Sequence, residues 1–194
     1  MIIGIAGTIG SGKTTVAGIL QDLGFKIIDA DAIGHEILKR ASIKKKIKKA
    51  FGSLILEDKG EIDRKKLGGI VFEDLQKLKE LNSITHPKIF AQIKKQVARL
   101  RLSDNTAKII LESALLLGSG SKNIVDRIIL VTASKEDIFR RLNGKYPKDR
   151  IERILKVQNQ INKKAKRADY IIENDGNITA LKKKVKIIAT KLLA

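Results

Sequence analysis

Gly7-Thr8-Ile9-Gly10-Ser11-Gly12-Lys13-Thr14 matches G-x-x-x-x-G-K-[ST] at every fixed position. That spacing suits the holding of a chain of phosphates. The glycines let backbone N–H groups turn inward around an anion, and a helix starting at once presents the positive end of its dipole. Lys13 is then placed to reach the β- and γ-phosphates of a nucleotide, and Thr14 to offer its hydroxyl to Mg²⁺. A glycine-rich turn with an incidental lysine has the same letters. Context separates the two: the match follows the apolar run Ile2–Ala6 and leads into an amphipathic stretch. An ammonium awaiting an anion is expected to be open to solvent.

Carboxylates are the next chemistry. Phe25-Lys26-Ile27-Ile28-Asp29-Ala30-Asp31 ends an apolar run in two acids, and ligands of parallel sheets bind at the carboxyl ends of strands. Asp31 is the candidate to deprotonate an acceptor hydroxyl, or else the cap of a helix starting at Ala32. Asp29 is assigned a supporting part. Glu112 closes Lys108-Ile109-Ile110-Leu111, either as an organiser of metal beside the glycine-rich phosphate loop or as a strand-end acid facing water.

These residues need a frame. Five short runs, Ile2–Ala6, Phe25–Asp31, Lys108–Glu112, Arg127–Thr132 and Tyr170–Glu173, are nearly continuous Ile, Val and Leu, as expected for strands covered on both faces. Val16, Ile19, Leu20 and Leu23 fall on one helical face that Gly24 ends; Ile178, Leu181, Val185, Ile188 and Leu192 do the same near the end of the chain. Strands alternating with helices predict an α/β domain on a parallel sheet. Residues 32–106 break the alternation with helical periods only, among them one led by Pro87 after His86, and read as a helical insertion. Asn143 to about Arg150 is polar, carries Gly144 and Pro147, and reads as a mobile loop.

Composition narrows the classes. The 194 residues suit one compact domain with an inserted lobe, and the absence of Cys excludes disulfides and thiolate chemistry. Two His, His35 and His86, are too few for a histidine metal site. No apolar run has the roughly 20 residues of a membrane span, and Met1–Ala6 lacks the basic n-region and the length of a signal peptide, so a cytoplasmic protein is expected. Forty Lys and Arg against 21 acids give +19, a field that attracts any polyanion. Aromatic residues are only 4%, without the stacking rings of single-strand binders, so basic helix faces in water are the favoured reading and nucleic acid is not expected as a partner.

The order of these elements, followed by Ile62-Asp63-Arg64-Lys65-Lys66-Leu67, Thr85-His86-Pro87-Lys88-Ile89, Arg140-Arg141-Leu142, Gln158 and Ala168-Asp169-Tyr170-Ile171-Ile172-Glu173-Asn174, resembles dephospho-coenzyme A kinase nearly end to end. The resemblance implies a P-loop kinase-like three-layer sandwich. Its five-stranded parallel sheet is flanked by helices, with the substrate-binding insertion at 32–106 and a short lid at 140–155 within a single domain, 1–194. It implies ATP and Mg²⁺ as cofactors and phosphorylation of the ribose 3′-hydroxyl of dephospho-coenzyme A, the last step of coenzyme A synthesis. Asp31 is similar to the family's general base, and Lys13 and Arg141 complete the catalytic set. The ATP contacts implied are Gly7, Thr8, Ile9, Gly10, Ser11, Gly12, Lys13, Thr14, Thr15, Arg141, Lys145, Asn174 and Gly176. Asp31, Arg64 and His86 fall to the substrate, with His86 equally readable as a packing residue at a helix N-terminus before Pro87. Thr14 and Glu112 fall to the metal, and a monomer is expected.

The chain departs from the family where a Pro-Leu-Leu segment is usual, carrying Ser113-Ala114-Leu115-Leu116-Leu117-Gly118, and Lys145 stands where a second arginine is usual. Arg and Lys differ in their grip on phosphate. Two alternatives remain at this level: another small-molecule kinase acting on a nucleoside or sugar, and a basic nucleic-acid-binding protein with a nucleotide site.

Overall fold

The computed structural model describes residues 1–113, 124–162 and 168–193. The segment Ala114–Gly118, which carries the departure from the family pattern, lies outside them. Contacts divide the chain into two compact units, Met1–Asp29 with Val97–Ala194, and Ala30–Gln96.

The first unit is built on a parallel sheet. Strands β1 (Ile2–Gly7), β2 (Lys26–Asp29), β3 (Ile109–Glu112), β4 (Arg127–Thr132) and β5 (Tyr170–Glu173) lie in the order β2-β3-β1-β4-β5. β1 is central and wholly buried, which is why it reads Ile-Ile-Gly-Ile-Ala-Gly without polar alternation. Its register sets Ile5 beside Glu112 on one side and Ile129 on the other. Helix α1 (Lys13–Asp22) and the terminal helix α8 (Ile178–Leu193) pack together, and Val16, Leu20, Val185 and Leu181 close over Ile3, Ile5 and Ile129. Each such side chain removed from water contributes about 1.5–3 kcal/mol. Asn177 caps α8, its Oδ1 accepting from the Ala180 N–H at 2.9 Å. Ile178, expected on the apolar face of α8, is 52% exposed instead, and the buried stripe of this helix begins at Leu181.

Two helices follow β4. Helix α6 (Lys135–Leu142) is capped by Ser134, whose side chain accepts from the Asp137 N–H, and helix α7 (Lys148–Asn162) carries Ile151 and Leu155 against Ile138 and Leu142. The link between them is shorter than its sequence suggests. Only Asn143–Pro147 is non-helical, since the Pro147 carbonyl accepts from Ile151 N–H and starts α7 at once.

The second unit is helical. Helices α2 (Ala30–Leu38), α3 (Ala41–Phe51) and α4 (Arg64–Val71) precede the 29-residue helix α5 (Leu75–Ser103), most of which belongs to this unit. Ile37, Ile43, Ile47, Ile55 and Ile93 are buried. A single antiparallel bridge, Leu56 to Ile62, leads into α4, which Asp63 caps by accepting from the N–H groups of Lys65 and Lys66. Those bonds hold the Asp63 carboxyl below its usual range, the Lys66 N–H foremost.

Three local expectations are corrected. β2 stops at Asp29 rather than Asp31, because α2 begins with Ala30 and leaves no loop between strand and helix. Asp31 therefore lies inside the first turn of α2 and is not the cap of a helix starting at Ala32. Pro87 does not open a helix. It sits inside α5, and His86 with it, so the reading of His86 as a residue of a helix N-terminus fails.

Candidate functional site

The glycine-rich loop joins β1 to α1. A β-carbon on Gly7 would stand 2.4 Å from the Val131 carbonyl, so the strand can turn there only without a side chain. Gly12, at the N-cap of α1, has φ +97°, and a β-carbon there would meet Asn174 Nδ2 at 2.2 Å. Within the loop the Ser11 N–H donates to the Thr8 carbonyl at 3.2 Å. The Ser11 hydroxyl is buried with no hydrogen-bond partner among the described residues. An orphan of this kind costs about 1–3 kcal/mol, and a bound phosphate oxygen would relieve it. Together with the N-terminus of a ten-residue helix whose N-cap, Gly12, supplies no side-chain cap, it fits an anion to this loop.

Lys13 departs from expectation. Its side chain is not open to solvent: the residue is 9% exposed, and its Nζ donates to the Thr8 carbonyl at 3.1 Å, so the ammonium is folded back onto the loop. Beside it the Thr14 hydroxyl donates to Glu112 Oε1 at 2.6 Å. Glu112 is 7% exposed, which excludes the water-facing alternative for this acid. A hydroxyl that gives its proton to a carboxylate keeps its lone pairs for a cation, and this pair suits Mg²⁺ held mainly by phosphate and water. No cluster of three or more His, Cys, Asp or Glu that could hold a metal ion occurs among the described residues. Asp29 pairs in register with Glu112, so two carboxylates end neighbouring strands. Thr15, the next residue of α1, is exposed.

The outer side of the loop is held from three elements. Arg141, on α6, donates from Nη1 to the Gly10 and Ser11 carbonyls at 3.2 and 3.4 Å and from Nη2 to the Asn174 carbonyl at 2.6 Å. Its guanidinium also lies 3.8 Å from the buried Asp137 carboxylate, which Arg140 contacts as well. Asn174, just past β5, donates from Nδ2 to the Ser11 carbonyl at 2.8 Å. Gln158, on α7, accepts the Ile9 N–H at 2.7 Å, while the Ile9 side chain packs against Ile138, Leu142, Ile151 and Leu155. Lys145 lies exposed in the turn between α6 and α7, and Gly176 is exposed before α8. A cleft of about 630 Å³ opens beside Thr8, walled by Leu130–Ala133 at the end of β4, by Lys135 and Ile138, and by Glu152, Leu155 and Lys156 of α7. It lies where the chain leaves β1 toward β2 and leaves β4 toward β5 in opposite directions, the place where sheets of this kind bind ligands.

In the helical unit, Asp31 occupies the first turn of α2, Arg64 is the first residue of α4, and His86 lies mid-way along α5. His86 meets Phe90 edge to face at 5.4 Å, and burial holds its imidazole below the usual histidine range. Gly34 of α2 packs on Ile89 of α5, where an added β-carbon would find the Ile89 methyl at 3.6 Å.

Sequence reasoning names Gln158 only as part of a resemblance and passes over Asp137. A signal for Gln158 is nevertheless present: it occupies the i+7 position of the apolar stripe Ile151, Ile154, Leu155, where a polar residue must find a partner.

Comparison with known proteins agrees with this geometry. A family model described as dephospho-CoA kinase matches residues 1–180. The dephospho-CoA kinase of Dehalococcoides mccartyi is 38% identical over 194 residues, covering 99% of this chain and 98% of its own. Among solved structures, TT1252 from Thermus thermophilus superposes with a TM-score of 0.79 at 29% identity, covering 99% of this chain and 97% of the other. The dephospho-CoA kinase from Campylobacter jejuni gives 0.67 at 29% identity, with 98% and 96% covered.

Proposed function

The chain belongs to the dephospho-CoA kinase family, and from that premise we propose that it transfers the γ-phosphoryl group of ATP to the ribose 3′-hydroxyl of dephospho-CoA. The products are CoA and ADP. In the transfer, the acceptor oxygen forms a bond to the γ-phosphorus as the bond to the β,γ-bridging oxygen breaks, and the hydroxyl proton leaves to a base.

Each residue has a part in this reading. Gly7–Thr15 cradle the triphosphate, and the unpartnered Ser11 hydroxyl supports that assignment. Lys13, held at the Thr8 carbonyl by one of its three N–H donors, turns the others to phosphate oxygens and stabilises the charge that grows on them. Thr14 and Glu112 are the residues that would hold Mg²⁺, which when bound would supply positive charge against that of the phosphates. Arg141 and Asn174 brace the loop, and Arg141 adds positive charge beside the phosphates. Lys145 reaches the nucleotide from the lid, residues 140–155, and Gly176 leaves room beside the base. Asp31 takes the proton of the acceptor hydroxyl, and Arg64 and His86 of the insertion, residues 32–106, meet the rest of dephospho-CoA. Asp31 follows Asp29, the register partner of Glu112, by two residues.

The observation that carries the reading is the Thr14–Glu112 hydrogen bond next to a lysine folded into a phosphate loop. A cytoplasmic monomer is the form proposed, and among the described residues no helix is long and apolar enough to cross a membrane. The test is ADP release from Mg-ATP with dephospho-CoA, adenosine, shikimate or gluconate as acceptor. Turnover with dephospho-CoA well above the other three is expected. Equal or greater turnover with another acceptor overturns the substrate, and no turnover with any of them overturns the kinase reading.

A further inference from the structure

One peptide unit of the loop is held at both edges. The Ile9 N–H donates to Gln158 Oε1 at 2.7 Å, and the Thr8 carbonyl, the other half of the same peptide, accepts from Lys13 Nζ at 3.1 Å and from the Ser11 N–H at 3.2 Å. In a planar trans peptide the N–H and C=O point in opposite directions. Gln158 and the Lys13 ammonium therefore grip opposite edges of one rigid plate. Gly7 and Gly10 stand one residue beyond that plate on either side, where the loop carries no side chain to fix its course.

Gln158 is suited to the task. It is 5% exposed, 149 residues from Ile9 in sequence, and points a carboxamide from an otherwise apolar stripe of α7. A buried carboxamide is kept where its hydrogen bond is made and costs stability where it is not. The Ile9 side chain packs into the cluster formed by α6 and α7, so the plate is anchored to α7 by both its side chain and its N–H.

We propose that Gln158 is a positioning residue for the phosphoryl donor: by fixing the Thr8–Ile9 peptide, it sets the Thr8 carbonyl and so the resting place of the Lys13 ammonium. Gln158 acts on ATP through Lys13 and does not touch the nucleotide. Without it the plate keeps only the bonds at its carbonyl edge, from Ser11 and Lys13, the carbonyl is less firmly placed, and Lys13 must be ordered in part by ATP itself at a cost in affinity. The inference rests on the P-loop reading above.

The test is a double-mutant cycle on the full chain, with Mg-ATP binding measured by calorimetry. Gln158→Met keeps the length and removes the acceptor; Gln158→Glu keeps an acceptor oxygen whether ionised or protonated. Gln158→Met is expected to weaken ATP binding about 10-fold, the scale of one lost hydrogen bond. The KM for dephospho-CoA should stay within about 2-fold, and Gln158→Glu should recover most of the lost affinity. In a Lys13→Met background the same substitution should cost no more than about 2-fold, because the route to ATP is already cut. Should Gln158→Met not fold, Gln158→Asn, which withdraws the acceptor by one methylene, takes its place with the same outcomes. Unchanged ATP affinity overturns the proposal, as does an equal loss with Lys13 absent, which marks a packing role. Failure of the unsubstituted chain to bind ATP overturns the P-loop reading first and is seen before any variant is made.

Discussion

The Thr14 hydroxyl and the Glu112 carboxylate meet at 2.6 Å across 98 residues of sequence. β3 lies beside β1 in the sheet, so the acid that ends one strand stands over the first turn of the helix that follows the other. If this pair orients Mg²⁺, Glu112→Gln keeps the size and an acceptor but lowers the local negative charge. The Mg²⁺ concentration for half-maximal ADP release should rise about 10–100-fold, the usual effect of altering a residue that orients a metal ligand. An unchanged Mg²⁺ titration would remove Glu112 from the metal site.

Lys13→Met should lower turnover by at least about 100-fold, the scale of losing a preorganised charge at a transferring phosphoryl group. Lys13 is nearly buried, and its Cγ is among the atoms nearest to Gly7, so an alanine would also leave a gap. Methionine fills it. The melting temperature should therefore stay within a few degrees while activity collapses, as scanning fluorimetry beside an ADP assay will show.

Asp31→Asn separates base from helix chemistry. Asp31 lies in the first turn of α2, and the substitution keeps its size and polarity while weakening its interaction with the helix dipole by about 0.3–1 kcal/mol. If Asp31 accepts the acceptor's proton, kcat should fall about 10²–10⁴-fold with the KM for ATP nearly unchanged. Full kcat in this variant passes the role to Asp29 or Glu112.

His86 makes a pH prediction. Burial lowers its folded-state pKa below the 6.5 of the unfolded chain. As the pH falls below about 6.5, the unfolded chain gains a proton that the folded one resists, so stability present above that pH is lost toward acid. The melting temperature should drop more steeply between about pH 7.5 and 5.5 for the unsubstituted chain than for His86→Gln. Parallel curves would show that His86 adds nothing to the acid limb.

Much of this arrangement is legible in the residues. Arg127–Thr132 and Tyr170–Glu173 read as strands and are strands, because apolar β-branched runs bounded by polar residues leave little alternative. The phosphate loop is local, its glycines and lysine falling within eight residues. The end of β2 is harder: Asp29-Ala30-Asp31 holds no Gly or Pro, so nothing in the letters marks the change from strand to helix. Pro87 misleads in the opposite way, as a residue that usually breaks a helix is carried inside the long α5. The grip of Arg141 on the Gly10 and Ser11 carbonyls spans 130 residues and uses backbone acceptors, which carry no sequence signature. The folding back of Lys13 onto Thr8 is likewise a backbone contact. The family assignment needs none of these details; the position of each charge does.

The strand order has a consequence for how the chain is made. β1 pairs with β3 and β4, and β2 pairs with β3; the first two strands never pair with each other. No sheet can form until Ile109–Glu112 has left the ribosome, roughly 80 residues after Asp29. At about 5–20 residues per second that is a wait of about 4–16 s, during which the apolar Ile2–Gly7 and the shorter Lys26–Asp29 have no sheet partner. The intervening helices, whose contacts are mostly local, can form first. A truncated chain ending before residue 109 should therefore be helical, without this sheet, and prone to aggregate through the orphaned Ile2–Gly7 and Lys26–Asp29.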